Sequence, residues 1–395
     1  MTLFGRKVLF SSPKTCDILI FDECNSHFIL EVINKKYSVG IFNMRPEDIF
    51  ISMGVIAQFL KELFKLSIEE IRQNHRGFLF SAIKLIYNSY LKACLESVNP
   101  KAVITFIDNS NTFGWLAKHC DKFPFIAIQN GSRLSYASNP NSGFYVPHYF
   151  CFGTHEQYLF PKIGYKVDHY YPVGSLISSL YLAPEGRMKE KYDLLIVSTW
   201  RGDIGFQQDV QDTMRSMEIM DQLLARYIKD NNVNAAVIYR AERGSEHWVI
   251  PELGLSEEEY YQEIYGNSIE YIDTDFSKRN VFPLMQKSHL IISCLSTALI
   301  EAYGLGKKVL YCNFSGTDIY HQDIDNVILT TNSNYENFSE KLNSIYKLSY
   351  KDYIKTNKEF MKYYMSYPDN VYTLPSVISD GIDKIIDQFE LLKNE

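Results

Sequence analysis

Short, unbroken apolar runs alternate along the chain with stretches in which apolar positions recur every three to four residues. In the first half the runs are CDILIFD (16–22), KYSVGIFN (36–43), KAVITFID (101–108), FPFIAIQNGSR (123–133), HYFCFGTHEQYLF (148–160) and YYPVGS (170–175). Helical periodicity fills 51–66 and 78–96, opens again after 108, and returns within HYFCFGTHEQYLF. The second half repeats the plan. YDLLIVSTW (192–200) precedes a long helix at 207–230, and NAAVIYRAERGSE (234–246) precedes a helix at 256–265. SIEYID (268–273), the short helix RNVFPLMQKS, HLIISCLSTALIEAYGLGKKVLYCN (289–313), NVILTT (326–331) and helices to 393 complete it. Strands that are apolar throughout, rather than alternating, predict parallel sheets with helices on both faces. The charged, Pro- and Gly-bearing LAPEGRMKEK (182–191) separates the two blocks. We therefore expect two doubly wound, Rossmann-like α/β domains, 1–181 and 192–370, facing a central cleft. Residues 371–395 form a C-terminal helix expected to pack back on the first domain.

Length agrees with two cores, since 395 residues exceed what one ordinary core supports. The net charge of −7 supplies no basic field for nucleic acid, so no nucleic-acid partner is expected. Cysteines stand at 16, 24, 94, 120, 151, 294 and 312 without C-x-x-C spacing. That pattern predicts reduced thiols in a cytosolic protein and no metal site. No run approaches the ~20 apolar residues of a membrane span, and the amino-terminal stretch has no apolar core of a signal peptide. VIAQFLKELFKL (55–66) is amphipathic and carries lysines. It predicts a core-facing helix or, alternatively, a surface resting on the inner membrane.

Candidate chemistry lies where the strands end, because ligands of open parallel sheets bind beyond the carboxyl ends. Ser198, Thr199, Trp200 and Arg201 follow one strand, and Arg240 ends the next. Guanidinium forks and hydroxyls suit a phosphate; the bland alternatives are a solvated turn or a surface salt bridge. Ser296 reads as the N-cap of a helix whose free N–H groups make an anion site. Thr297 and Glu301 share a face of that helix, so Glu301 is placed to accept from ribose hydroxyls; capping and a solvated face are the alternatives. On the other side stand Asp108, Asn109, Gln129, Asn130, Gly131 and Arg133. Asp108, at the end of an apolar strand, is the candidate general base, or else caps a helix. Asn109, Gln129, Asn130, Gly131 and Arg133 would meet the sugar or acceptor. Neither G-x-G-x-x-G nor a P-loop is present, so no dinucleotide cofactor is expected.

With these residues named, ITFIDNSNTFGWLAK, FIAIQNGSR, YFCFGTHEQYLF, PVGS, LLIVSTWRG and the Ser-Thr/Glu/Gly-Lys segment resemble bacterial surface-carbohydrate biosynthesis proteins. These are GT-B transferases of O-antigen and capsule clusters. More distantly the layout is similar to capsule Kdo transferases using CMP-Kdo and to teichoic-acid polymerases using CDP-polyols. The resemblance implies inverting, metal-independent transfer from a nucleotide-sugar donor to a glycan or lipid-linked acceptor. Ser296, Thr297 and Glu301 would hold the nucleotide, and Arg201 and Arg240 its phosphate. Many of those enzymes carry His-Pro where this chain has Arg240 and Ala241. A CMP-linked 3-deoxy-ulosonic or nonulosonic acid is the favoured donor, with UDP- or GDP-sugars open. A sugar-nucleotide epimerase of the same design and a non-catalytic glycan-binding scaffold are the other readings.

Overall fold

The computed structural model describes residues 2–3, 6–43, 48–64, 78–133, 144–183, 189–200, 208–239, 256–275, 278–294, 296–318, 324 and 326–393. The first half supplies strands β1 (Thr2–Leu3), β2 (Arg6–Leu9), β3 (Ile18–Phe21), β4 (Val39–Phe42) and β5 (Asp48–Phe50). Strands β6 (Ala102–Thr105), β7 (Phe125–Ile128), β8 (Tyr145–Cys151) and β9 (Lys166–Pro172) follow. The second half adds β10 (Tyr192–Val197), β11 (Ala235–Tyr239), β12 (Glu270–Asp273), β13 (Ser288–Ser293), β14 (Lys308–Cys312) and β15 (Leu329–Thr330).

Two six-stranded sheets result, ordered β4-β3-β6-β7-β8-β9 and β12-β11-β10-β13-β14-β15. Every pairing within them is parallel. The apolar runs explain this: β3, β6 and β7 are buried at every position, as are β11 and β14. Strands covered on both faces have no polar side to show water. The order in which strands are added reverses between β3 and β6 in the first sheet and between β10 and β13 in the second. Such switch points open crevices at the carboxyl ends. Strands β1, β2 and β5 form a small third sheet that the apolar runs did not reveal.

Serines start several helices by accepting a backbone N–H: Ser52, Ser110, Ser175 and Ser256, the last in a full capping box with Glu259. The C-terminal helix Leu374–Lys393 carries Leu374, Ile378, Ile382, Ile385 and Ile386 on one stripe. That stripe is buried in one apolar cluster with Ile18, Ile104, Ile126 and Phe150 of the first sheet. The chain therefore crosses back from the second lobe to the first. At the crossing the Ser366 N–H donates to the Phe152 carbonyl at 2.7 Å, and Tyr367 and Ser178 share a hydroxyl bond at 2.5 Å. Gly174 makes room for it: its φ is +92°, and a Cβ there would lie 2.3 Å from the Tyr367 ring. Any side chain would meet both strain and a clash.

The helix Met53–Leu63 faces the core with one narrow stripe, Val55 and Phe59 packing on an apolar cluster of the first sheet. It buries only Val55 and Glu62, the latter paired with Lys92 at 2.5 Å. Met53, Ile56 and Leu60 face outward, continued by Phe64, which is 90% exposed. Leu79, Ile83 and Ile86 of the helix Phe78–Val98 are exposed as well, and the two helices pack on each other. No helix among the described residues is long and apolar enough to cross a membrane.

Candidate active site

A cavity of about 300 Å³ opens at the carboxyl ends of β10 and β13, the switch point of the second sheet. Ser198, Thr199 and Trp200 reach it from β10, and Ser296, Thr297 and Glu301 from the helix Thr297–Gly304 after β13. Asn130 enters from the first lobe, following β7. Thus seven sequence-predicted residues, 100 positions and more apart in places, line one space.

Their chemistry differs in detail. Ser296 holds the N-cap position, yet its side chain makes no capping bond. The first N–H groups of the helix therefore keep their capacity for an anion. Thr199 is buried, and its hydroxyl oxygen has no hydrogen-bond partner. A buried polar atom left that way is costly unless a ligand or water completes it. The Ser198 hydroxyl, by contrast, donates to Glu257 at 2.5 Å and accepts the Trp200 N–H at 3.2 Å, which shapes the turn. Trp200 is buried against Tyr260, ring centroids 5.1 Å apart, and lines the cavity.

Glu301 is 4% exposed and accepts a bond from Ser175 of the first lobe. Burial pushes its carboxyl up to about 7, against the pull of the Ser175 hydroxyl and the Arg279 guanidinium. Thr297 also ties the lobes: its hydroxyl accepts the Ser132 N–H at 2.9 Å. Gly131 lies beside it, and a Cβ there would sit 3.4 Å from Thr297 Oγ1. The close approach that Gly131 suggests is thus an approach to the neighbouring helix.

The first-lobe candidates are largely committed to one another, which corrects several expectations. Strand β6 ends at Thr105, so Asp108 stands in the turn beyond it, and Ser110 is the helix cap. Asp108 is buried, with both carboxylate oxygens engaged by Arg133 and one also accepting the Tyr149 hydroxyl at 2.6 Å. A carboxylate so held, 1% exposed, is shut off from an acceptor hydroxyl and does not line the cavity. Arg133 is buried with it and also donates to Asn130 at 2.7 Å. Gln129 spends its amide on Gly131, Glu156 and the Phe152 N–H. Neither Gln129 nor Arg133 is left to grip a sugar. Asn109 is partly exposed and outside the cavity lining. Arg201 and Arg240 lie outside the described residues. The sequence reading missed Arg279 and Ser175. Arg279 stands in a turn, not at a strand end, and Ser175 is distant in the chain.

Two sheets, each reversing order once, with a cavity at one switch point and a second lobe facing it, define a GT-B-like α/β protein. Solved structures agree. A protein named as a UDP-N-acetylglucosamine 2-epimerase from Listeria monocytogenes superposes with a TM-score of 0.53 at 12% identity, over 94% of this chain and 96% of that one. A trehalose 6-phosphate synthase from Burkholderia multivorans gives 0.51 at 9% identity, over 97% and 98%. A glycosyltransferase from Rickettsia africae gives 0.50 at 13%, over 99% and 100%. At these identities the likeness is one of fold. No protein-family model matches the sequence, and no curated protein matches it.

Proposed function

We propose that the protein is a glycosyltransferase that moves a sugar from a nucleotide donor to a glycan or lipid-linked acceptor without a metal. The observation that carries this is the convergence of Thr199, Ser296 and Glu301 on one switch-point cavity with an uncapped helix start. Hydroxyls and helix N–H groups suit the donor phosphate, and ionised Glu301 suits the ribose hydroxyls. The leaving phosphate is stabilised by the same groups, aimed before reaction at the place where charge develops. A CMP-linked acidic sugar is the favoured donor, on the resemblance to Kdo transferases. Asp108 is not assigned the role of base, because Arg133 and Tyr149 hold it. Epimerisation of a free nucleotide sugar is the competing reaction on this fold. Domain boundaries at 181 and 192 and a helix from 371 are part of the same reading.

The test is a thermal-shift series with CMP, CDP, UDP and GDP, followed by turnover with and without acceptor. A nucleotide at a hundred times its dissociation constant stabilises by roughly 2.7 kcal/mol. Release of nucleotide only when acceptor is present supports transfer. Isomer formation without acceptor supports the epimerase, and no shift with any of the four nucleotides overturns the reading.

A lipid-linked acceptor gives a role to the outward apolar stripe of Met53, Ile56, Leu60 and Phe64, whose exposed charged neighbour is Lys61. Apolar side chains flanked by a lysine suit the headgroup boundary of an anionic membrane.

A further inference from the structure

Among the described residues that line the cavity, Arg279 is the single cation. It leaves the second lobe from the turn before the helix Val281–Gln286, with φ at +47°. A non-glycine residue there is strained by roughly 1–3 kcal/mol and persists only if its surroundings hold it. They do. The Asn280 amide donates to the Asp273 carbonyl at 2.8 Å and accepts the Asp275 N–H at 3.0 Å, and Asp275 accepts the Lys278 N–H at 3.1 Å. The turn thereby aims Arg279 toward the first lobe. There its guanidinium donates to Asn25 at 3.5 Å and lies 5.3 Å from the Phe28 ring centroid. Asn25 and Phe28 follow β3, beside the switch point of the first sheet. One guanidinium so reaches the cavity, the neighbourhood of Glu301 and the opposite lobe.

A second, independent observation points to a ligand in the same space. The buried Thr199 hydroxyl lacks a partner and lines the cavity, as does the uncapped start of the helix Thr297–Gly304. Cation, hydroxyl donor and helix start together present the donor set of an anion site. We propose that Arg279 is the residue that holds the anionic group of the ligand in this cavity and positions it between the lobes. The chemical class is a phosphodiester or pyrophosphate, which rests on the nucleotide reading above. The bond to Asn25, at the long limit of a hydrogen bond, is weak enough to yield to a phosphate oxygen. The residue that fixes the donor phosphate then also touches the lobe that faces the acceptor.

The experiment titrates the parent, Arg279→Gln and Arg279→Lys with the nucleotide that stabilises the parent most, and with the nucleoside that lacks its phosphates. Arg279→Gln should weaken nucleotide binding by about ten- to a hundredfold, the range for a lost charge-assisted hydrogen bond. Nucleoside affinity should stay within about twofold, and Arg279→Lys should fall between, because lysine keeps charge without the fork. Equal losses for nucleoside and nucleotide would mean a damaged fold, and unchanged nucleotide affinity would mean no contact; either overturns the role of Arg279. If no nucleotide binds the parent, the function proposed above fails. Inorganic pyrophosphate then decides for Arg279: binding to the parent that is lost in Arg279→Gln upholds the site, and no binding to the parent removes it.

Discussion

Replacing Glu301 by Gln should make the protein more stable at alkaline pH while making it a poorer nucleotide binder. Glu301 is buried and accepts one bond from Ser175, and its carboxyl is pushed up to about 7 from an ordinary 4.5. A raised acid binds its proton more tightly in the folded than in the unfolded chain. Stability from this group is therefore fully present below pH 4.5 and is lost as pH rises from there through 7. A shift of about 2.5 units amounts to about 3 kcal/mol, lost in full by pH 8. Glutamine keeps an oxygen for Ser175 but never ionises. The difference between Glu301→Gln and parent in urea unfolding should thus grow from near zero at pH 4.5 to about 3 kcal/mol at pH 8. Asp221 is also pushed up to about 7, by burial against bonds from Tyr260 and Tyr265, and contributes a like slope. It is common to both proteins and cancels in the difference. Ligand affinity should move the other way. If ribose hydroxyls need the ionised carboxylate, the competent fraction rises from about a tenth at pH 6 to nine-tenths at pH 8, and the parent's nucleotide affinity rises about tenfold. Calorimetry across that range reads it. A flat stability difference would refute the burial argument, and an affinity that falls with pH would refute the ribose role.

Asp108→Ala should cost about 3–5 kcal/mol in urea unfolding, since it leaves the Arg133 guanidinium buried without its counter-charge; near-parental stability would show that the pair is dispensable. Ser296→Ala should leave thermal stability almost unchanged, below the ~1 kcal/mol of a working cap, because its side chain makes no capping bond. The same variant should weaken nucleotide binding, and a calorimetric titration that matches the parent would remove Ser296 from the anion site. Met53→Glu with Phe64→Glu should abolish co-sedimentation with vesicles containing anionic lipid while leaving unfolding curves in place, as both side chains are largely exposed; parent protein that stays in the supernatant would remove the membrane contact.

How much of this was legible in the chain can be followed residue by residue. Continuous apolar runs dictated parallel strands, because a strand buried on both faces has no polar position to spare. Doubly wound sheets then put their polar strand ends in crevices, so Ser198–Trp200 and Ser296–Glu301 stand out in the sequence itself. The N-terminal three-stranded sheet was not legible, since strands as short as Thr2–Leu3 leave too few positions for a period to show. The roles of single side chains were decided by partners remote in sequence. Arg133, 25 positions on, and Tyr149, 41 positions on, turn Asp108 from an open carboxylate into half of a buried pair. Ser175 meets Glu301 across 126 positions, and Asn25 meets Arg279 across 254. A local pattern fixes which residues reach a strand's end. What each then does depends on desolvation and on the charge or hydrogen bond set opposite it, and those exist only once the two lobes have closed on each other.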